Sequence, residues 1–316
     1  MPANFTSGWL GNGERAWHGL GVVEEGTRPA RQAFELANAL FGVEKRPSYI
    51  LTKANAWVET GKFAIVRTDN EVQLGHVSDK YEIVPNDSLL RMAEFIREEA
   101  DMDSVVVLND GAKVCFTATL KGAAQDIVQG DTVKKRIVGY LGHDGLTGCG
   151  ALYTTIRVVC TNTFAAAVNQ ARKHVSIRHA SGANANFDAL IKSIDCARES
   201  FAQECELFRE FAQYQFTMAD FNQYVSDVYD ADQADLADGK FRKQTKLLRA
   251  YRGGLGARDF APYTLWSAVN AVTEVETSTK TGTLKQRQSK FKSANFGQGL
   301  QYSRKAIEVA KELVCA

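Results

Sequence analysis

Between residues 48 and 77 the apolar, β-branched runs are joined by links too short for a helical crossover, and that spacing favours antiparallel pairing. Runs at 48–52, 56–59, 62–67 and 72–77 are separated by the turn-like sequences KAN, TG and TDN. A parallel pair needs a connection of roughly a dozen residues or more, whereas an antiparallel pair closes through two. Further strands are expected at 104–108, 113–120 and 132–141, with Asn109-Asp110-Gly111 as a hairpin turn. Two helical patterns interrupt the strands. Ala33, Phe34, Ala37, Leu40 and Phe41 recur at helical spacing over 31–41, with Gly42 as a natural stop. Leu89, Leu90, Ala93 and Ile96 form the inner stripe of a helix over 86–99, behind Pro85 and with Asn86 or Asp87 as cap. The expected class is α+β, an antiparallel β-meander backed by helices and followed by a mainly helical C-terminal region.

Residues 151–180 carry the densest polar junctions. A β-branched run, 153–159, leads through Thr161-Asn162-Thr163 into an Ala-rich helix ending in Arg172-Lys173-His174, and a short strand then carries Arg178 and His179. Thr161 or Asn162 can cap that helix, and the basic trio sits where a helix C-terminus favours positive charge. Beyond the linker SGANAN, Leu190, Ile194, Ala197, Phe201, Cys205, Phe208 and Phe211 predict one long helix over 187–216. Helices are also expected over 218–229 behind Thr217, over 265–273 and over 298–313. The domain reading is a glycine-rich N-terminal arm at 1–29, an α+β core at 30–182 and a helical region at 183–316. In the arm, the Trp-His pair of WHGLG serves either as a packed anchor or as an aromatic contact to a base.

The formal net charge is +1, so any surface for nucleic acid must come from local segregation of charge. Segregation is present. From Asp220 to Asp238 there are six acids and no base; from Lys240 to Arg258 there are seven bases, at 240, 242, 243, 246, 249, 252 and 258, and no acid. The two stretches could also pair between subunits, head to tail. Residues 280–292 carry five more bases. No apolar run approaches the roughly 20 residues of a membrane span, and the N-terminus lacks a signal-peptide pattern. Six cysteines without a CxxC pair fit reduced thiols, and the expected compartment is the cytoplasm.

Little local sequence points to catalysis. The five histidines share no helix face with one another, so no metal site is expected. The Gly-rich loop HDGLTGCGA links two strands and lacks the phosphate-cradling GxxxxGK[ST] pattern, so it reads as a turn. Cys160, at a strand end beside a helix N-terminus, is the nucleophile candidate, against the simpler reading of a small buried hydrophobe. Clustered bases point elsewhere, because Lys and Arg neutralise backbone phosphates. The candidate contacts are Lys134, Lys135, Arg136, Arg157, Asn162, Arg172, Lys173, Arg178 and His179, with Lys285, Arg287, Lys290 and Lys292 as a second contact or docking tail. Arg157, flanked by apolar residues, serves equally well as an internal ion-pair partner.

The segments WHGLG, VEKRP, RVVCTNT and SIRH, with WSAVNAVTE and NFGQGLQYSRKAIEVA near the end, closely resemble phage/plasmid-like proteins built on an uncharacterised conserved domain. That resemblance implies a mobile-element protein made in a bacterial cell and serving DNA recombination or replication. A helix at 31–41 that ends in Gly and enters a meander is also similar to the start of the core of phage and eukaryotic single-strand annealing proteins. The second resemblance implies a ring or filament homo-oligomer that holds single-stranded DNA in a basic groove, with no nucleotide cofactor and no catalytic residue. The expected function is therefore single-stranded DNA binding and annealing, with a host replication or defence protein as a further partner. Two other classes stay open. One is an enzyme on nucleic acid or nucleotides, with Cys160, His179 or Asp144 in a pocket. The other is an anti-defence or regulatory protein that binds a host protein.

Overall fold

The computed structural model describes residues 5–11, 21–129, 131–154, 174–177, 187–253, 261–277 and 298–315. It is α+β, as the pattern of runs and links requires. Two sheets and two helices come first: β1 (Phe5–Leu10), β2 (Val22–Val23), α1 (Ala30–Leu36), β3 (Val43–Leu51), β4 (Trp57–Arg67), β5 (Gln73–Val77), α2 (Asn86–Phe95), β6 (Ala100–Leu108), β7 (Lys113–Val128), β8 (Asp131–Gly142), β9 (Cys149–Thr154) and β10 (His174–Ile177). The helical region follows as α3 (Phe187–Gln213), α4 (Met218–Tyr229), α5 (Gln233–Ala237), α6 (Gln244–Gly253), α7 (Leu265–Thr277) and α8 (Gln298–Cys315).

The larger sheet has seven strands in the order β10-β9-β8-β7-β6-β1-β2, and the smaller has three, β3-β4-β5. From β6 to β10 the sheet is a meander, while β1 pairs antiparallel with β6 and parallel with β2. Phe5–Leu10 is thus a strand and not part of an irregular arm. Its pattern is hidden by Gly8 within it and Gly11 just after it, but Trp9 and Leu10 are fully buried and the Trp9 indole donates to Glu24 at 2.8 Å.

Val105 to Leu108 is buried on both faces, which is why this segment reads as an unbroken apolar run and not as an alternation. On one side α1 packs on β1, β6 and α2, with the Phe34 ring 6.3 Å from that of Phe116. Gly139 of β8 lies under the same Phe116; a Cβ there would stand 2.1 Å from the ring, so only glycine lets the strand approach. Helix α1 stops earlier than its sequence pattern suggests. Asn38 takes a left-handed conformation (φ 51°), and the Ala39 amide bonds back to the Phe34 carbonyl, so the chain turns out before Gly42. Asn86 also departs from expectation: it does not cap α2 but points inward, donating to the Phe41 carbonyl at 3.1 Å.

The described chain forms two compact units. One contains Met1–Gly122, Lys135–Cys160 and Ala171–Cys196; the other contains Ala123–Lys134, Thr161–Gln170 and Ala197–Ala316. In the second unit, α8 packs on α7 and α4, and α7 packs on α6. Phe201, Cys205, Phe208 and Phe211 bury the expected stripe of α3, and Thr217 forms a capping box with Asp220 at the start of α4. No described helix is long and apolar enough to cross a membrane.

Candidate nucleic-acid interface

The basic trio at the start of β8 does not present three cations to solvent. Lys134 is exposed, but Lys135 and Arg136 are only 4 % and 5 % accessible. Arg136 Nε lies 3.4 Å from Asp103 Oδ2, and that carboxylate also accepts from the Thr119 hydroxyl at 2.7 Å. A groove contact requires a side chain that solvent and phosphate can reach, so the expectation for Lys135 and Arg136 is corrected: they belong to the interior. Arg157, Asn162, Arg172, Lys173, Arg178, His179, Lys285, Arg287, Lys290 and Lys292 lie outside the described residues, as do Cys160 and the Trp17-His18 pair.

The exposed cations that do form a row lie on and just before α6. Leu247, Ala250 and Tyr251 bury its inner face, and Tyr251 stacks on Phe221 with ring centroids 4.0 Å apart. Arg242, Lys246 and Arg249 recur at four- and three-residue steps on the opposite side, and all three are exposed. At about 1.5 Å rise per residue the row runs for about 10 Å. Among the described residues none of the three has a carboxylate partner. Their neighbours in sequence differ: Lys240 pairs with Asp238 at 2.7 Å, and Lys243 turns inward to Glu276 at 2.6 Å. Beside the helix, Tyr263 is 51 % exposed and meets the Tyr251 ring edge-on at 5.9 Å; Tyr214 is exposed on the neighbouring segment. A row of exposed cations can neutralise phosphates, and the accessible rings, which lie on the Tyr251 side of the helix, can stack bases. The row was readable in the sequence as bases at 242, 246 and 249 opposite apolar 247, 250 and 251. A segment read only for its charge, and not for its period, conceals it.

The acidic stretch is engaged locally. Asp220 and Asp232 cap α4 and α5, Asp227 accepts from Gln223, and Asp230 holds Lys305 at 2.5 Å. Thiol chemistry finds no support at the described core cysteines. Cys115 and Cys149 are buried, and burial pushes both thiols up, that of Cys149 to about 12. Such thiols stay protonated and unreactive. Among the described residues no group of His, Cys, Asp and Glu is arranged to hold a metal ion.

The loop after β8 is a structural joint. His143 is buried, with Nε2 2.8 Å from Asn86 Oδ1 and its ring edge-on to Phe41. Asp144 accepts from the amides of Leu146 and Thr147 and from the Thr147 hydroxyl, and lies 3.5 Å from Lys113 Nζ. Burial pushes its carboxyl up, but the Thr147 and Leu146 amides, the Thr147 hydroxyl and Lys113 outweigh that and hold it below the usual carboxylate range. A carboxyl depressed in the folded state adds stability that is present above its unfolded value, about 3.9, and lost as pH falls through the folded one. Thermal unfolding followed over an acid series should therefore show wild type losing more stability below about pH 4 than Asp144→Asn. Superimposable acid slopes would remove Asp144 from this role.

The fold and the exposed row define an α+β protein whose helical unit offers an exposed cationic face. The chain belongs to the family described as Domain of unknown function (DUF932), whose model matches residues 73–296. No curated protein and no solved structure matches the chain.

Proposed function

We propose that the protein binds single-stranded DNA and anneals complementary strands as a homo-oligomer, in recombination or replication of phage or plasmid DNA. The observation that carries this reading is the row Arg242, Lys246 and Arg249, exposed and without carboxylate partners among the described residues, in a unit that also exposes the Tyr263 and Tyr214 rings. Cations that are not neutralised by neighbours are the ones that can exchange counterions for phosphates, and aromatic faces stack any base without sequence preference. Strand annealing is driven by base pairing itself and needs no nucleotide hydrolysis. The resemblance to phage/plasmid-like proteins supports a role on mobile DNA.

Binding of a labelled single-stranded oligonucleotide over a salt series tests the reading. Affinity should fall steeply with salt. In Lys246→Ala/Arg249→Ala the log–log slope should flatten by about 1.4, from two lost phosphate contacts at about 0.7 each. Both side chains are exposed, so the variant should unfold at the wild-type temperature. Acceleration of annealing between complementary strands should fall with the slope, and mass photometry of the same sample should show a multimer. A wild-type protein without salt-dependent binding, or a double variant with an unchanged slope, would overturn the proposal.

A further inference from the structure

The smaller sheet carries a second polar recess, away from the α6 row in sequence and in a different compact unit. A cleft of about 510 Å³ opens between the β3–β4 hairpin, β5 and the turn that follows it. That size falls within the roughly 300–1,000 Å³ of small-molecule sites. Ser48, Thr60, Lys62, His76 and Ser78 supply its polar wall, and Tyr49 and Ile50, both more than half exposed, supply an apolar lip. No carboxylate lines it, and Lys62 has no ion-pair partner among the described residues.

The wall is held in place rather than loosely arranged. His76 is fixed at both ring nitrogens, with Ser48 Oγ 3.4 Å from Nδ1 and the Gln73 side-chain amide 2.7 Å from Nε2. The Thr60 hydroxyl donates to the Ser48 carbonyl at 2.9 Å, which ties β4 to β3 across their bulged register. Lys45 Nζ donates to the carbonyls of Asp79 and Tyr81 at 2.8 and 2.9 Å and so pins the turn that closes the far side. At the remaining edge Gly145, with φ +74°, lies against β5; a Cβ there would stand 2.7 Å from the His76 carbonyl.

From this donor set we infer that the cleft binds a nucleoside 5′-phosphate, the phosphate on Lys62 and the Ser48 and Ser78 hydroxyls and the base against Tyr49 and Ile50. An ammonium with two serine hydroxyls and no counter-carboxylate in the lining is suited to phosphate oxygens, which accept only. The half-exposed tyrosine face at the mouth offers a stacking surface to a base. The same chemistry is presented by a free nucleotide and by the phosphorylated end of a DNA strand. In the second case the inference rests on the DNA-binding reading and gives it a second contact.

Calorimetric titration with thymidine 5′-monophosphate, thymidine and inorganic phosphate, beside anisotropy of a short oligothymidylate with and without a 5′-phosphate, separates the sources. The monophosphate should bind saturably and more tightly than thymidine. Lys62→Ala should weaken it about tenfold or more, the range of a charge-assisted contact. Tyr49→Ala should erase the advantage of nucleotide over inorganic phosphate. If only the 5′-phosphorylated oligonucleotide binds in a Lys62-dependent way, the strand end is the ligand; if only the monophosphate does, a free nucleotide is. Absence of saturable binding by either, or binding that Lys62→Ala leaves unchanged, would overturn the inference. Lys246→Ala/Arg249→Ala serves as the counter-variant. It should leave monophosphate binding intact, so failure of the cleft and failure of the α6 row are read separately.

Discussion

An Arg136→Ala protein is expected to lose about 3–5 kcal/mol of stability, the cost of stranding a buried charge. The guanidinium faces Asp103 at 3.4 Å, and both side chains are 6 % exposed. Removing the arginine takes the guanidinium away from the buried Asp103 carboxylate, which keeps the Thr119 hydroxyl. Replacing both members with apolar residues of similar volume, as Arg136→Met/Asp103→Leu, should recover most of the loss, since a buried pair contributes little net stability over a well-packed apolar substitute. Urea unfolding of the two variants is the measurement. The placement would be refuted by an Arg136→Ala protein with a wild-type urea midpoint and weakened oligonucleotide binding, because that is the behaviour of a surface phosphate contact.

Lys243→Ala should be the second costly substitution, at about 2–4 kcal/mol, from a buried carboxylate that loses a charged hydrogen-bond partner. Its ammonium lies 2.6 Å from Glu276 Oε1, an oxygen that also accepts from the Tyr229 hydroxyl at 2.6 Å. The same ammonium sits 4.8 and 4.6 Å from the Tyr229 and Tyr302 ring centroids, so the alanine also removes two cation–π contacts. Burial, Glu276 and the adjacent tyrosines push the Tyr229 phenol far above its ordinary value, which favours its role as a donor to that carboxylate. Lys246, three residues on, is exposed and should cost no more than about 0.5 kcal/mol when truncated. Chemical denaturation of the pair decides the matter: equal midpoints for Lys243→Ala and Lys246→Ala would refute the inward placement.

These two residues show where sequence reading succeeds and where it stops. Antiparallel pairing, the NDG turn, the stripe of α3 and the Thr217 cap follow from local rules of period and turn chemistry, and all are present in the structure. Which member of a basic cluster faces solvent does not follow from composition. Lys134 and Arg136 fall on the same face of a strand by alternation, yet one is exposed and the other buried, because burial varies along β8 and is complete from Lys135 onward. Likewise Lys243 precedes α6 and turns toward Glu276, a partner 33 residues away that no local window contains. The cleft on the small sheet was equally hidden. Ser48, Lys62 and His76 carry no motif spacing and meet only once three strands are in register. In the N-terminal stretch glycines at 8 and 11 break the apolar run, so β1 is recognised only from its pairing with β6.

The division of the chain has a practical consequence for anyone wishing to dissect it. The tip of the β7–β8 hairpin, Ala123–Lys134, belongs to the same compact unit as α4 to α8. Arg209 of α3 donates to the Asp126 carbonyl at 3.1 Å and to Gln125 at 2.9 Å, and the Trp266 indole of α7 donates to Asp131 at 2.8 Å. A gene fragment that begins at α3 would therefore encode an incomplete object, with an arginine and a tryptophan deprived of acceptors translated some eighty and more residues earlier. One scissor cut cannot yield two self-sufficient halves of this protein; a transplantable helical module must carry the hairpin tip along, grafted as a loop or supplied as a separate peptide.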